Sequence, residues 1–389
     1  MNANSICLST RNPILFGRGA SARAGEELRN LNVTKALVVC DEGVKAAGIL
    51  RKILDSLDSV GIKYAIYDKA QADPPDWSCE EAAELGRREK VDGVVAVGGG
   101  SSLDTGKAAC ILLTNPSPIS RYYLAAEVVQ PDEAGMYPVV VIPTTSGTGS
   151  EATPGGVITD TVNNAKRNIP CASSLGIVDP ELTLTLPLSV TAVSSIDALC
   201  HAAEAYTSNK TNAICDVLNE RAITLIGKYL PRVFEAPDDI EAREGLQLAA
   251  SLAGLGIMGP FCHIPHEIGL IISMMFHMAH GAACGMTLPE GLEYAALAVP
   301  ERVAHVTRLL GGEVPTDADP EEIGRIAYDT IANLFRIVSF PKFSAYTTRE
   351  EAIAAAPKIM DPYPFIHSPR DLKQEDVERI LAKAYDRGC

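Results

Sequence analysis

Positive charge and long apolar runs are both scarce in this chain, and these absences exclude several classes of protein. The 34 lysines and arginines are outnumbered by 49 aspartates and glutamates, giving a formal net charge of −15. Nucleic-acid binding needs clustered lysine and arginine, so this composition argues against a nucleic-acid partner. No segment approaches the ~20 consecutive apolar residues of a membrane span, and we expect no membrane association.

Cysteine pairs and a leader sequence are also missing. The ten cysteines are scattered without CxxC pairs, which is typical of reduced thiols in a cytosolic protein. The first residues lack the basic start and apolar core of a secretory signal, so we expect a cytoplasmic location. With 389 residues, of which 47% are hydrophobic, the chain exceeds the usual size of a single core. Two domains are therefore predicted.

Short apolar segments alternate with helical segments in the first half of the chain. The predicted strands are 36–40, 64–67, 93–97 and 137–142. Residues 78–89 predict a helix, and such alternation favours a parallel, Rossmann-like sheet covered by helices on both faces. From about Ser189 helical patterns dominate. The predicted helices are 213–233, 240–258, 300–310, 320–335 and 373–385. We predict an α/β dinucleotide-binding domain at 1–187 and an all-α domain at 188–389.

Glycine and hydroxyl-bearing residues follow two of the predicted strands. Segment 98–107 has the sequence GGGSSLDTGK, and segment 143–153 has the sequence PTTSGTGSEAT. Neither is a Rossmann or Walker motif, and a glycine triplet after a strand can be only a structural turn. Two such loops at one edge of a parallel sheet would line a crevice that accepts a pyrophosphate. The candidate cofactor residues are Gly98, Gly99, Gly100, Ser101, Ser102, Asp104, Thr144, Thr145, Ser146, Thr148 and Ser150.

Asp41 follows the first predicted strand and bears on the choice of cofactor. A carboxylate at this place accepts a hydrogen bond from a ribose hydroxyl and repels a 2′-phosphate, which favours NAD(H) over NADP(H). The alternative is that Asp41 only caps the next helix. Asp73, in the loop after the second strand, is a further candidate for cofactor binding.

A carboxylate and several histidines in the second half of the chain indicate a metal site. Asp197 and His201 are four residues apart in a predicted helix, so their side chains share one face. Four of the seven histidines fall within eighteen residues, at positions 263, 266, 277 and 280. One carboxylate with three imidazoles suits Fe(II) or Zn(II) rather than calcium or magnesium. A surface hydrogen bond within the Asp197–His201 pair is the alternative.

The spacing of the histidines requires the chain to turn. His266 and His280 are fourteen residues apart, and one continuous helix would separate them by ~21 Å, too far to share a metal. We expect the turn around residues 278–281, where Gly281 permits a sharp change of direction. His263 and His277, each three residues earlier, either orient the ligands, face a substrate or simply pack.

In combination these motifs resemble the iron-containing (group III) alcohol dehydrogenases over nearly the whole chain. The matching segments are 98–107, 143–151, Val157–Asp160 with Lys166, Asp197 with His201, and His280-Gly with Leu288-Pro289. The resemblance implies a dehydroquinate synthase-like architecture, NAD(H), and Fe(II) or Zn(II) held by Asp197, His201, His266 and His280, which are also the catalytic centre. It also places Lys166 in the cofactor site. The implied substrate is a small alcohol, diol or functionalised aldehyde, and we expect a homodimer or higher homo-oligomer.

The chain departs from the family pattern at one position that matters for chemistry. Many members carry a further histidine four residues after the third ligand, often assigned to proton transfer, and here that residue is Leu270. We predict that His277 takes this catalytic role, with His367 as the alternative. Two rival interpretations are a glycerol dehydrogenase-like or other dehydroquinate synthase-superfamily enzyme, and a catalytically impaired metal-binding relative.

Overall fold

The two halves of the chain form two compact units of different architecture in a computed structural model. The structure describes residues 11–124 and 129–387, and the units divide between residues 186 and 187. The first unit combines strands and helices, and in its described residues the second unit is helical. The predicted fold class is therefore confirmed. None of the described helices combines the length and the apolar character that crossing a bilayer requires.

A parallel sheet forms the centre of the first unit, with the strand order β1-β8-β5-β4-β2-β3. Strands β6 and β7 form a separate antiparallel hairpin. The strands are β1 Ile14–Phe16, β2 Lys35–Val39, β3 Lys63–Tyr67, β4 Gly93–Gly98, β5 Val139–Pro143, β6 Gly155–Asp160, β7 Ala165–Pro170 and β8 Leu175–Val178. The sequence predicts β2 to β5 correctly. It misses β1 and β8, which are too short for a recognisable pattern, and the more polar hairpin.

Both faces of the sheet are covered, which explains the continuous apolar runs of the central strands. Val94 and Ala96 of β4 pack into one buried cluster, and Val95 and Val97 pack into another, because successive side chains of a strand point to opposite faces. The helices of this unit are α1 Ala24–Asn30, α2 Glu42–Ala46, α3 Ile49–Ser59, α4 Asp76–Glu89 and α5 Gly100–Thr114.

The second unit packs its helices around one large apolar cluster. Its helices are α6 Leu188–Thr207, α7 Ala213–Glu235, α8 Ile240–Gly256, α9 Ile264–Phe276, α10 His280–Met286, α11 Leu288–Ala296, α12 Pro300–Leu309, α13 Pro320–Ile337, α14 Arg349–Ala354, α15 Ala356–Ile359 and α16 Gln374–Asp386. The five helices predicted here are confirmed with small differences at their ends. The strongly helical patterns were thus reliable guides to local structure.

Candidate metal centre and cofactor loops

Helices α6, α9 and α10 bring the four predicted metal ligands together. Oδ1 of Asp197 lies 3.7 Å from Nε2 of His266 and 3.9 Å from Nε2 of His280. The ring centroid of His266 lies 4.4 Å from that of His201 and 5.5 Å from that of His280. The carboxylate and the three imidazoles therefore form one cluster within the helical unit.

The expected turn between His266 and His280 exists, but Gly281 does not make it. Helix α9 ends at Phe276, His277 has a φ of 53°, and α10 begins at His280. Gly281 lies inside α10, where a Cβ atom would come within 2.5 Å of the Val193 carbonyl oxygen and 2.8 Å of the Asp197 Cβ. The missing side chain of Gly281 instead lets α10 approach α6 closely enough to bring His280 to Asp197.

Two buried atoms of this cluster provide a test of whether a metal fits. Asp197 and His266 are only 2% and 8% exposed. Among the described residues, Oδ1 of Asp197 and Nε2 of His266 have no hydrogen-bond partner, a situation that costs about 1–3 kcal/mol per group. Burial also raises the pKa of Asp197. A divalent cation would satisfy both atoms, and this set of oxygen and nitrogen donors suits Fe(II) or Zn(II).

Glu204 orients the His266 ring, although the sequence interpretation missed it. Its Oε1 accepts a hydrogen bond from Nδ1 of His266 at 2.6 Å, and its Oε2 accepts from the backbone N–H groups of His263 and His266 at 2.7 and 3.2 Å. Burial alone would raise the pKa of Glu204, but these neighbours lower it overall. A proton on Nδ1 leaves Nε2 of His266 as the metal-binding atom.

The spacing of Glu204 from Asp197 and His201 could have indicated its role from the sequence. Glu204 is seven residues after Asp197 and three after His201 on α6. These spacings place all three side chains on the same helix face. A carboxylate at that spacing is the expected partner of a metal-binding histidine.

His263 caps helix α9 and has no nitrogen left for a metal. Its Nδ1 accepts a hydrogen bond from the Ile264 N–H at 2.8 Å, and its Nε2 lies 2.9 Å from the hydroxyl of Thr207. Burial lowers the pKa of His263 to about 4, so the ring is neutral near pH 7. Of the three roles open to His263, the structure supports a packed residue that fixes the start of α9.

The two candidates for proton transfer lie in different surroundings. His277 is exposed at the end of α9 and belongs to neither donor cluster of the described residues, so its catalytic role stays a prediction. His367 stacks on Phe261 with 4.8 Å between ring centroids, and burial lowers its pKa. Its buried Nδ1 has no hydrogen-bond partner within residues 11–124 and 129–387.

In the α/β unit, the two polar loops meet at the carboxyl ends of β4 and β5. The Thr144 N–H donates to the Gly98 carbonyl oxygen at 2.9 Å. A Cβ on Gly100 would lie 2.6 Å from Thr148 Cγ2, and one on Gly98 would lie 2.6 Å from Ser102 Oγ. Only glycine permits this close approach, which leaves the backbone N–H groups at the start of α5 as donors for an anion.

Asp104 and Lys107, both on α5, form hydrogen bonds with loop 143–153. Asp104 accepts hydrogen bonds from the Ser150 hydroxyl at 2.8 Å and the Val157 N–H at 2.9 Å. Nζ of Lys107 donates to the carbonyl oxygens of Ser150 and Gly155 at 2.6 and 2.7 Å. Burial raises the pKa of Asp104 and lowers that of Lys107. Asp104 and Ser150 thus help to hold loop 143–153 in place, and their contacts with a cofactor stay a prediction.

Asp41 does cap helix α2, as the alternative interpretation proposed. Its Oδ1 accepts from the Val44 N–H at 2.9 Å, and its Oδ2 accepts from the Ser102 hydroxyl at 2.8 Å. The cap does not exclude a ribose contact, because each carboxylate oxygen has a second lone pair. The role of Asp41 in cofactor choice stays a prediction.

The remaining cofactor candidates lie around the same loops. Lys166 on β7 forms an ion pair with Asp73 and donates to the Thr159 hydroxyl at 3.1 Å, so the pair ties loop 72–75 to the hairpin. The Asp73 side chain is still 41% exposed and can accept from a ligand. The cofactor contacts of Gly99, Ser101, Thr145, Ser146 and Thr148 stay predictions.

Comparisons with known proteins agree with this geometry. A family model for iron-containing alcohol dehydrogenase matches residues 12–180, and the model for the C-terminal part of the family matches residues 191–385. The choline dehydrogenase of Bacillus subtilis (strain 168) is 33% identical over 96% of this chain and 93% of that protein. The NAD-dependent methanol dehydrogenase of Bacillus methanolicus is 30% identical over 96% and 92%.

A solved structure extends the similarity to the fold. The sulfoacetaldehyde reductase of Bifidobacterium kashiwanohense in complex with NAD+ has a TM-score of 0.87 and 26% identity, covering 98% of this chain and 99% of that one. These matches define a metal- and nucleotide-dependent class of oxidoreductases. The chain belongs to the iron-containing alcohol dehydrogenase family and is an oxidoreductase of alcohols or aldehydes. The comparisons do not favour the glycerol dehydrogenase-like alternative or an impaired relative.

Proposed function

We propose that the protein interconverts a small primary alcohol and its aldehyde with NAD(H) as the hydride carrier and a divalent metal, Fe(II) or Zn(II). The single observation that carries this proposal is a pair of buried atoms, Asp197 Oδ1 and His266 Nε2, at the centre of a carboxylate–imidazole cluster. Neither atom has a hydrogen-bond partner among the residues that the structure describes. A cluster of this kind has no stabilising role without a cation, because each buried and unsatisfied group lowers stability.

Each part of the chain has a distinct task in this reaction. A metal bound here would supply Lewis acidity that favours the alkoxide over the alcohol. Asp197, His201, His266 and His280 are the proposed ligands, and Glu204 keeps Nε2 of His266 deprotonated toward the metal.

The α/β unit holds the cofactor. The loops 98–107 and 143–153 bind the pyrophosphate through backbone N–H groups and hydroxyls, with the positive end of the α5 dipole adding attraction. Asp41 accepts a hydrogen bond from the adenosine ribose and disfavours a 2′-phosphate. The ion pair of Asp73 and Lys166 borders this loop region.

His277 is our proposed group for proton transfer in place of the missing histidine at Leu270. Its side chain is exposed, so it can exchange protons with water, and it lies three residues before His280. A group that passes protons to solvent needs one face in contact with water. General acid–base groups contribute about 10²–10⁴-fold to rate.

The identity of the substrate cannot be transferred from the relatives, because their substrates differ in charge. Choline is a cation, methanol is neutral and sulfoacetaldehyde is an anion. What they share is a short chain with one terminal hydroxyl or aldehyde group, and we propose this class for the present protein. We also expect a homo-oligomer and a cytoplasmic location.

A metal titration combined with a substrate screen tests the proposal. Metal-free protein is loaded with Fe(II) or Zn(II), NADH binding is followed by fluorescence, and NADH oxidation is measured with short aldehydes of each charge. We expect stoichiometric metal and metal-dependent turnover. Full metal content with no turnover on any aldehyde or alcohol, despite NADH binding, would refute the proposed activity.

Two histidine variants provide the matched control for the metal site. His280→Ala is expected to lose most of its metal and its turnover, because one ligand is removed. His263→Ala is expected to lower the melting temperature while retaining metal, because both His263 nitrogens already have protein neighbours. The reverse result would mean that the wrong histidine has been assigned.

A further inference from the structure

Glu267 is a carboxylate beside the metal centre that has no partner among the described residues. It directly follows the proposed ligand His266 and, apart from that histidine, is the one ionisable residue of α9, whose sequence is IPHEIGLIISMMF. The residue is partly buried, yet within residues 11–124 and 129–387 its carboxylate forms no hydrogen bond or ion pair. Burying a charge without a partner is costly, so a carboxylate at this place needs a physical reason.

Glu267 belongs to the partly exposed face of α9. Leu270 and Met274 follow it by three and seven residues, spacings that place the three side chains on one helix face. All three residues are partly exposed, whereas Ile268 and Ile272 of the same helix are fully buried. Among the described residues, neither Leu270 nor Met274 packs against the apolar cluster of this unit. The helix therefore presents a short apolar strip with one carboxylate at its N-terminal end.

This strip borders the metal centre. Leu270 is four residues after His266, so these two side chains are also neighbours on the helix. Glu267 is adjacent to His266 in the chain, and their Cα atoms are therefore ~3.8 Å apart. The charge of Glu267 interacts with the carboxylate of Glu204 and with the imidazole of His266, both of which belong to the centre. A small molecule held at the metal can therefore contact the strip.

The groups of the metal centre do not balance the charge of Glu267. The Glu204 carboxylate repels it, and that carboxylate already accepts hydrogen bonds from the His266 ring and the backbone. A divalent metal would balance the charges of Asp197 and Glu204, because imidazole ligands are neutral. The charge of Glu267 then remains uncompensated. A positively charged group of a bound substrate would supply the missing counter-charge.

We propose that the Glu267 carboxylate binds a positively charged group of the substrate, while Leu270 and Met274 contact its carbon chain. The preferred substrate class is then a short alcohol or aldehyde that carries an ammonium group, either primary or quaternary. The inference rests on the proposed function, because it places the hydroxyl or aldehyde oxygen of the same molecule at the metal centre. It extends that function by selecting a cationic substrate over neutral and anionic ones.

Lys210 is the competing determinant of substrate charge. Burial and the Lys210 ammonium group lower the pKa of His367, and His367 in turn interacts with His263 at the start of α9. A positive charge there would attract an anionic substrate. Glu267 is favoured because it is partly buried and adjacent to a metal ligand, whereas Lys210 is exposed and its charge is screened by water. In the described part of the chain the two side chains form no ion pair with each other.

A purely structural role for Glu267 is the other alternative. The residue lies in the first turn of α9, where a negative side chain interacts favourably with the helix dipole. That interaction is equally available to an exposed side chain, and it does not depend on the charge of a substrate. The two roles therefore differ in what a neutral replacement of Glu267 changes.

Steady-state kinetics with substrates of matched shape test the proposal. Choline is compared with its neutral carbon isostere, in which a tert-butyl group replaces the trimethylammonium group, and with the anion isethionate. For the wild type we expect kcat/KM to be at least about tenfold higher for choline than for the isostere, as for other close charge pairs. Glu267→Gln keeps the size of the side chain and removes its charge, so this ratio should fall to near unity.

A matched control variant shows whether the effect is specific to this carboxylate. Glu220 is a partly buried carboxylate on α7 that accepts a hydrogen bond from the Tyr206 hydroxyl. Glu220→Gln should therefore keep the wild-type ratio of kcat/KM between choline and the isostere. Circular dichroism and the melting temperature show whether each variant is folded.

Direct binding gives a second measurement that needs no turnover. Calorimetric titration of the protein–NADH complex with choline and with the isostere measures both affinities. We expect Glu267→Gln to weaken the binding of choline at least about tenfold, and to weaken that of the isostere much less. Glu220→Gln should bind choline as the wild type does.

The possible outcomes separate this inference from the proposed function. A higher kcat/KM for isethionate that is lost in Lys210→Ala would overturn the role of Glu267 in favour of Lys210. Equal values for choline and the isostere, or a ratio that survives in Glu267→Gln, would also overturn it, and turnover of these substrates would leave the proposed function intact. Choline binding that depends on Glu267, in a protein without turnover on any substrate, would support the role of Glu267 and refute the proposed activity.

Discussion

Replacement of Glu204 by glutamine tests directly whether this carboxylate holds His266 in the tautomer that binds a metal. In the wild type, Oε1 of Glu204 accepts from His266 Nδ1, while Oε2 accepts from two backbone N–H groups. Glutamine changes one of these oxygens into an NH₂ group, which donates only. If the amide nitrogen faces His266, Nδ1 must accept, and the proton moves to Nε2, the atom needed for the metal. If it faces the backbone, two buried N–H groups lose their acceptor.

Either orientation of the glutamine weakens metal binding. Loss of the residue that orients a metal-binding histidine typically lowers metal affinity about 10–100-fold, equivalent to about 1.4–2.8 kcal/mol. We expect Glu204→Gln to fall in this range. Competition with a chromophoric chelator measures the affinity, and the melting temperature with and without metal shows how much stabilisation the cation still provides.

A matched control separates this effect from a general loss of charge. Glu220→Gln changes a half-buried carboxylate on α7 that accepts from the Tyr206 hydroxyl at 2.9 Å, and it should leave metal affinity unchanged. Metal affinity in Glu204→Gln equal to that of the wild type would refute the argument that Glu204 fixes the His266 tautomer.

Three further variants test other parts of the molecule. Asp41→Ser should raise the affinity for NADPH relative to NADH, measured by fluorescence titration, because it removes a negative charge and keeps a helix-capping hydroxyl; wild type that already prefers NADPH would contradict the assignment. His277→Ala should slow turnover at least tenfold with metal content retained. Unchanged turnover would mean that His277 only terminates helix α9 and takes no part in proton transfer. Lys107→Met should lower the free energy of unfolding in urea by about 1–3 kcal/mol for each buried acceptor left unpaired, since it removes the donor to the carbonyl oxygens of Ser150 and Gly155.

Local sequence patterns were sufficient for the elements on which the site depends. The apolar runs of β2, β4 and β5 are buried on both faces, and such runs between helical segments predict a parallel sheet. The spacing of Asp197 and His201 predicted a shared helix face, and the separation of His266 from His280 required a turn that the structure contains. These inferences need only the regular geometry of a helix or strand and the alternation of apolar and polar residues, both of which can be read from short stretches of sequence.

Assignments that depend on what lies opposite a residue were less reliable. Gly281 was expected to make a turn, but its missing side chain serves the contact between α10 and α6. The sequence did not predict that the Asp104 carboxylate accepts hydrogen bonds from loop 143–153 and β6. Sequence spacing does not reveal which neighbour a buried polar side chain will meet.

The sequence by itself therefore determined four strands of the parallel sheet, the long helices of the second half, and the residue types available for a metal and a dinucleotide. Only the tertiary structure decided which atoms meet. Glu204 became the partner of His266, and Asp197 came beside His280, because helices α6, α9 and α10 approach each other closely. Such contacts join residues tens of positions apart, and their geometry follows from close packing of whole helices rather than from any local pattern.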